Sequence, residues 1–343
     1  MDQKAAQALA FGFANPMERD CWMKAPLLTA AFVTNDHVEE AGRWLERAVA
    51  TQRSDGSLGY SDAVQAPGGH IRSFTPLPTL SAALGYPLLL ALERRESPAL
   101  REAAARLLRG LSETRRTTDG GLCARGEAPE LWIDFTYLVC PFLARYGRQF
   151  GDGATLDEAF RQFAVHVAHL YDPRRGLARH AWCEKPDHFP QSTFWTRGNG
   201  WLVCAAVDLM AIAPGHESAE LVGQIAAQTL DAMAAWQDAS GYFTHILDDP
   251  SSNLEASGTL MYAYAMARAV EFGLLPELHL ASARRAFRAV AGSVEASGKV
   301  PGVAVPPGGP GVPFDWAPFG QGFFALAADA LARLGCPAAG GAA

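Results

Sequence analysis

With 343 residues, 49% of them hydrophobic and 19% charged, the chain has ample apolar surface for a packed core and a composition that excludes extensive disorder. That length exceeds what one small core serves, so it implies two domains or a single large closed architecture. A net charge of −7 argues against a nucleic-acid partner, which would need a basic face to meet phosphates, and suits a soluble protein.

The N-terminal segment MDQKAAQALAFGFANP has charges at Asp2 and Lys4 and a short apolar stretch before Pro16, which is not a secretory pattern. A short helix is expected there over 3 to 13, then a helical pair over 21 to 52, followed by the loop SDGSLGY at 54. A second pair spans 75 to 114. Its first helix contains Pro76, Pro78 and Pro87, which predict a late start or a kink, because proline costs about 3 kcal/mol inside a helix. TDGGLCA at 118 leads into a third pair over 130 to 171, and DPRRGLARHAW at 172 into a fourth over 199 to 237. DASGYFTHIL at 238 precedes a fifth pair over 254 to 294; EASGKVPGVAV at 295 precedes a last helix near 318 to 335. Residues 337 to 343 read as a disordered tail. No run of 18 apolar residues occurs, so no membrane span is expected.

The loop glycines Gly56, Gly121, Gly176, Gly241 and Gly298 lie 65, 55, 65 and 57 residues apart, the mark of a repeated supersecondary unit. Within each unit the two helices differ in kind. Residues 199 to 213 and 258 to 273 are apolar on nearly every side, as a helix buried all round must be. Their partners carry a single stripe: Leu280, Ala283, Phe287, Val290 and Val294 in one, Leu156, Phe160, Phe163, Val167 and Leu170 in another. An inner ring of apolar helices inside an outer ring of amphipathic ones follows, and the helix at 3 to 13 completes six pairs. The expected fold is therefore all-α, an (α/α)6 barrel formed as one domain by residues 1 to 343, with an open solenoid as the alternative.

Each loop follows an outer helix, so the segment after it leads to the N-terminus of the next inner helix, and these segments share one rim. They carry Trp132 and Asp134, then TFWTRGNGW, then Glu255, then Asp315 and Trp316. A cup lined by tryptophan faces and a few charges suits a sugar.

WTRGNGW, with RHAW at 179 to 182, resembles the WxRGNGW signature of glycoside hydrolase families 88 and 105, the unsaturated glucuronyl and rhamnogalacturonyl hydrolases. LWIDFTYLVCPFLARYG (131 to 147), LEASGTLMYAYAMARAVEFGLL (254 to 275) and FGQGFFALAADAL extend the resemblance over about residues 75 to 335. The resemblance implies an (α/α)6 barrel and a glycosidase that removes a 4,5-unsaturated uronic acid from the non-reducing end of an oligosaccharide. Asp134 matches the catalytic aspartate, which protonates C4 of the C4=C5 vinyl ether and helps water attack C5. Trp132 lies in the same matched segment. Trp195, Arg197 and Trp201 match positions lining the sugar subsite, and His180 matches a histidine beside it. A guanidinium suits a uronate carboxylate through two parallel bonds. No cofactor is implied. The family's second aspartate has no counterpart in FTPLPTLSAALG, where Thr79 sits nearest, and a loop histidine is replaced around Cys123 and Ala124.

Plainer readings stand beside these. Asp134 suits the first turn of a helix for its charge alone, the tryptophans suit a core, and Gly198 and Gly200 suit close packing. Glu255 reads as a capping or orienting group, and His166 with His169, lacking a third ligand nearby, does not read as a metal pair. A non-catalytic sugar-binding relative, or an isomerase or epimerase using His180 and His245, are the other function classes. The cysteines Cys21, Cys123, Cys140, Cys183, Cys204 and Cys336 fall in no CxxC spacing and read as free thiols of a cytoplasmic protein. Nothing in the sequence fixes an oligomeric state.

Overall fold

The computed structural model describes residues 2–15, 22–60, 77–306 and 312–335. In order they form α1 (Gln3–Ala14), α2 (Ala25–Thr34), α3 (Val38–Ala50), α4 (Pro78–Arg94), α5 (Pro98–Glu113), β1 (Glu130–Trp132), α6 (Phe135–Phe150) and α7 (Gly153–Leu170). Four short strands follow, β2 (Tyr171–Asp172), β3 (Leu177–Ala178), β4 (Ala181–Cys183) and β5 (His188–Gln191), then α8 (Thr196–Ile212) and α9 (Ala219–Ala234). The chain ends with β6 (Phe243–Thr244), β7 (Leu254–Glu255), α10 (Ala256–Glu271), α11 (Leu280–Ser293), β8 (Val303–Ala304), β9 (Phe314–Asp315) and α12 (Pro318–Arg333).

The even-numbered helices form the inner ring. Each packs on the next, α2 on α4, then α6, α8, α10 and α12, and α12 returns to α2, so the toroid is closed and the open solenoid is excluded. Closure rests on glycine: a Cβ at Gly322 of α12 would lie 2.4 Å from the Pro26 carbonyl carbon of α2. The N-terminal helix α1 takes the outer place beside α12. Gln321, fully buried, donates to Ala8 O and Gly298 O at 2.8 Å each and accepts from Val300 N at 2.7 Å.

The difference in kind between the two rings appears as burial. In α8, fifteen of seventeen residues are buried, whereas α11 buries Leu280, Ala283, Ala286, Phe287, Val290 and Ala291 on one side. The prolines have the expected effect on α4, which begins only at Pro78 with Pro87 inside it; position 76 and the expected tail lie outside the described residues. Gly56, Gly176, Gly241 and Gly298 all take positive φ, a backbone state that glycine adopts without steric cost. In the second loop Gly120 holds that state, with φ of +89°, rather than Gly121. Repeated glutamines tie the loops down: Gln52 donates to Gly56 O and Ala103 O, as Gln237 does to Gly241 O and Ser282 O. Among the described residues no helix is long and apolar enough to cross a membrane. Cys123, Cys140, Cys183 and Cys204 are buried free thiols, and Cys21 and Cys336 lie outside the described residues.

Candidate active site

The rim above the inner-helix N-termini is built from very short strands. β1 pairs antiparallel with β4, Trp132 opposite Ala181, and Ile133 N donates to His180 O at 3.0 Å just beyond the last pair. The ladder brings together two residues 46 positions apart, Asp134 and His180, with His180 Nε2 3.2 Å from Asp134 Oδ2. Asp134 occupies the N-cap position of α6, yet its side chain makes no capping bond. Most aspartates at that position accept from the first-turn amides. Here Oδ2 is buried without a hydrogen bond, close to His180 but not aligned for one.

Aromatic rings wall this pair. The Trp132 ring lies 6.0 Å from His180, with its Nε1 donating to Glu130 Oε2 at 3.1 Å and the Arg125 guanidinium 4.4 Å above its face. Trp195, the N-cap of α8, lies 4.6 Å from His180 on the other side. A second histidine, His245, lies 6.2 Å from Trp195, so both candidate histidines converge on one indole.

Below Trp195 the guanidinium of Arg197 is 1% exposed, 4.4 Å from the Trp195 ring and 5.0 Å from Phe319. Its Nη1 donates to Ala304 O at 2.9 Å and Ser257 Oγ at 3.2 Å and lies 3.5 Å from Glu255 Oε1, while its Nε is buried without a partner. Burial lowers its affinity for the proton, opposed by the charges of Glu255 and Asp134. One end of the fork is therefore committed to the protein, and the Nε side is not.

Glu255 is fully buried and fully used. It caps α10, accepting from Ser257 N at 3.1 Å, Ser257 Oγ at 2.6 Å and Gly258 N at 2.6 Å, and it accepts from Ala304 N at 3.0 Å. This is the capping and orienting use that the sequence suggested, and it leaves no free oxygen to serve as an acid.

The rest of WTRGNGW is architecture. Asn199 ties α8 to the preceding loop, donating to Ala178 O at 3.0 Å and accepting from Ala178 N at 2.8 Å. A Cβ at Gly200 would meet Met261 Cβ of α10 at 2.9 Å. Trp201 departs from its expected place beside the sugar ring. It is 0% exposed and packed 5.0 Å from Tyr137 and 5.7 Å from Phe323 in the barrel interior, and it shares Phe319 as a neighbour with Arg197. The last rim segment also differs from expectation. Asp315 is exposed and pairs with Lys299 at 2.6 Å, and Trp316 packs edge-on against Phe11 at 5.1 Å; Phe314, 5.5 Å from His245, is the residue of that segment nearest the site.

Two further relationships escape sequence reading. Thr79, Cys123 and Ala124, the three positions that depart from the family pattern, line one pocket of about 250 Å³ with Arg115 and Arg125. His166 and His169 hold separate partners: His166 Nδ1 donates to Gln162 O at 2.8 Å, and His169 Nε2 lies 2.6 Å from Asp119 Oδ2 with its ring stacked 3.8 Å from Trp182.

Comparison with known proteins follows the same lines. The family model described as Glycosyl Hydrolase Family 88 matches residues 42–334. The unsaturated rhamnogalacturonyl hydrolase YesR of Bacillus subtilis is 30% identical over 172 residues, covering 50% of this chain and 48% of that protein. An unsaturated 3S-rhamnoglycuronyl hydrolase of Formosa agariphila is 27% identical over 223 residues, 59% of this chain and 58% of the relative. The matches thus span about half the length of these relatives. In fold, a glycoside hydrolase of family 105 from C. acetobutylicum superposes with a TM-score of 0.79 at 22% identity, covering 96% of this chain and 100% of that one. The unsaturated glucuronyl hydrolase of Bacillus sp. GL1 superposes at 0.70 and 16% identity, covering 96% and 95%.

Proposed function

Since the chain belongs to glycosyl hydrolase family 88, we propose that it removes a 4,5-unsaturated uronic acid from the non-reducing end of an oligosaccharide. Asp134 in its acid form delivers its proton to C4 of the C4=C5 vinyl ether, and positive charge develops at C5, shared with the ring oxygen. Water adds to C5 and returns a proton to the Asp134 carboxylate. The hemiketal so formed opens, C5 becomes a ketone, and the aglycone leaves from C1. One molecule of water is consumed, and no carboxylate attacks C1, unlike the two-carboxylate glycosidases. His180 stands 3.2 Å from the Asp134 carboxyl, Trp132 and Trp195 flank the ring, and Trp201 supports α8 from the barrel interior. Arg197 meets the uronate carboxylate with its Nε side.

The observation that carries this reading is a cluster of buried polar atoms without hydrogen-bond partners around the Trp195 ring: Asp134 Oδ2, Trp195 Nε1, Arg197 Nε and His245 Nδ1. A buried orphan costs about 1–3 kcal/mol, so four in one place mark groups that a polar ligand completes. Incubation with an unsaturated uronyl disaccharide, following loss of the C4=C5 absorbance, tests the proposal. Turnover in the parent and its loss in Asp134→Asn support it; an unchanged spectrum at high enzyme concentration refutes it.

A further inference from the structure

His245 belongs to none of the motif segments that carry the family resemblance and lies on the loop between α9 and α10. Its backbone is fixed on both sides, His245 N donating to Asn253 O at 2.7 Å and Thr196 N donating to His245 O at 3.0 Å. The ring is held edge-on between Trp195 at 6.2 Å and Phe314 at 5.5 Å, and its Nδ1 is buried with no hydrogen-bond partner. A half-buried imidazole in an aromatic clamp, with an orphaned nitrogen, is a preorganised hydrogen-bonding group that lacks its partner.

Exposure rises outward from Arg197: it is 1% exposed, Trp195 stacked on it is 7% exposed, and His245 and Phe314 next to Trp195 are half-buried. On the reading given above, the unsaturated ring sits at the level of Asp134 and Trp195. A group one step nearer solvent meets the next sugar along the chain. We propose that His245 is a specificity-determining residue that hydrogen-bonds, through Nδ1, a hydroxyl of the uncharged sugar adjoining the unsaturated uronic acid.

The charge environment selects that chemistry. Burial lowers the affinity of His245 for a proton; Arg197 and His180 push the same way, and Glu255, itself engaged by Arg197 and the α10 cap, opposes them. A neutral imidazole carries one N–H donor and one bare nitrogen acceptor, which suits a hydroxyl and offers nothing to compensate a sulfate or a second carboxylate.

The test compares His245→Phe and His245→Asn, since an asparagine amide reproduces the position of Nδ1 and phenylalanine only the ring. The substrates are an unsaturated uronyl-rhamnose disaccharide and the unsaturated methyl uronide, which lacks the second sugar. Loss of one such hydrogen bond predicts a fall of about tenfold in kcat/KM on the disaccharide for His245→Phe, carried by KM, and several times larger than the fall on the methyl uronide. His245→Asn recovers most of it. An equal fall on both substrates, or no recovery with asparagine, overturns the assignment. Binding of the disaccharide to Asp134→Asn, with and without His245→Phe, is read by tryptophan fluorescence and separates this inference from the proposed reaction. If the parent proves inactive but His245→Phe still weakens binding by about tenfold, the reaction falls and the role of His245 stands. Binding unaffected by His245→Phe, or no binding at all, overturns it.

Discussion

Asp134 and His180 meet, Oδ2 to Nε2 at 3.2 Å, through the register of two three-residue strands rather than through nearness in sequence. The carboxylate stands where a helix cap belongs yet caps nothing. Asp134→Asn is therefore expected to leave thermal unfolding nearly unchanged while removing turnover by roughly 100- to 10,000-fold, the usual contribution of a general acid. Activity within tenfold of the parent refutes the assignment of Asp134, and a large fall in melting temperature returns it to the role of a first-turn acid.

Thr79 and the pair Cys123 and Ala124 line a single pocket, so the two departures from the family pattern belong to one local change rather than two. All three residues are buried, and the same space is lined by Arg115 and Arg125 as well as by Asp55 and Glu113, so a carboxylate placed there meets charges of both signs. Thr79→Asp is expected to raise kcat/KM on the unsaturated disaccharide or to shift its pH profile. If neither moves, a different group already serves, and Glu255 is not that group, because its oxygens are occupied by the α10 cap, Ala304 N and Arg197.

His166 gives a pH signature independent of catalysis. Burial lowers its pKa from 6.5 to about 4, helped by the charge of His169 and opposed by its bond to Gln162 O and by Asp119 and Asp134. The folded state thus prefers the neutral ring, and the unfolded chain takes up the proton first as pH falls. Stability from this residue is present above pH 6.5 and is lost between there and about pH 4, on the order of 3 kcal/mol in all. Chemical denaturation of the parent and His166→Gln at pH 7 and pH 4.5 is expected to show a shallower decline in the variant. Identical slopes would dismiss this account of His166.

The architecture was readable because its rings differ in composition. An inner helix such as α8 is apolar all round, an outer one such as α11 has a single stripe, and the loop glycines recur at a near-constant interval. The site residues were readable as types and not as geometry. Strands of two to four residues are too short for alternation to register, so the pairing of Trp132 with Ala181, which delivers His180 to Asp134, leaves no trace in the sequence. Adjacent glycines cannot be told apart either, which is why Gly120 rather than Gly121 turns the second loop. The depth of Trp201 and Arg197 depends on how closely α8 approaches α10, and that distance is set by Gly200 and Gly258 against Met261 and Thr196.

Arg197 and Trp201, four residues apart on α8, separate binding from support. Trp201 has no exposed surface and packs against Tyr137, Phe319 and Phe323, so Trp201→Ala is expected to cost about 3–5 kcal/mol of stability as a cavity opens in the barrel. Arg197→Lys is also expected to lose stability, on the order of 1–3 kcal/mol, because Ala304 O and Glu255 lose a buried guanidinium partner. Melting temperature alone therefore does not distinguish the two. Affinity per folded molecule does: an ammonium cannot reproduce the Nε side of the fork, so Arg197→Lys should weaken uronide binding by about tenfold or more, whereas Trp201→Ala should retain it within a few-fold once corrected for the folded fraction. The measurement is a calorimetric titration of the unsaturated disaccharide into each variant in the Asp134→Asn background, below its unfolding transition. Undiminished affinity in Arg197→Lys would reduce the whole of WTRGNGW to a packing unit and leave the uronate carboxylate to another group.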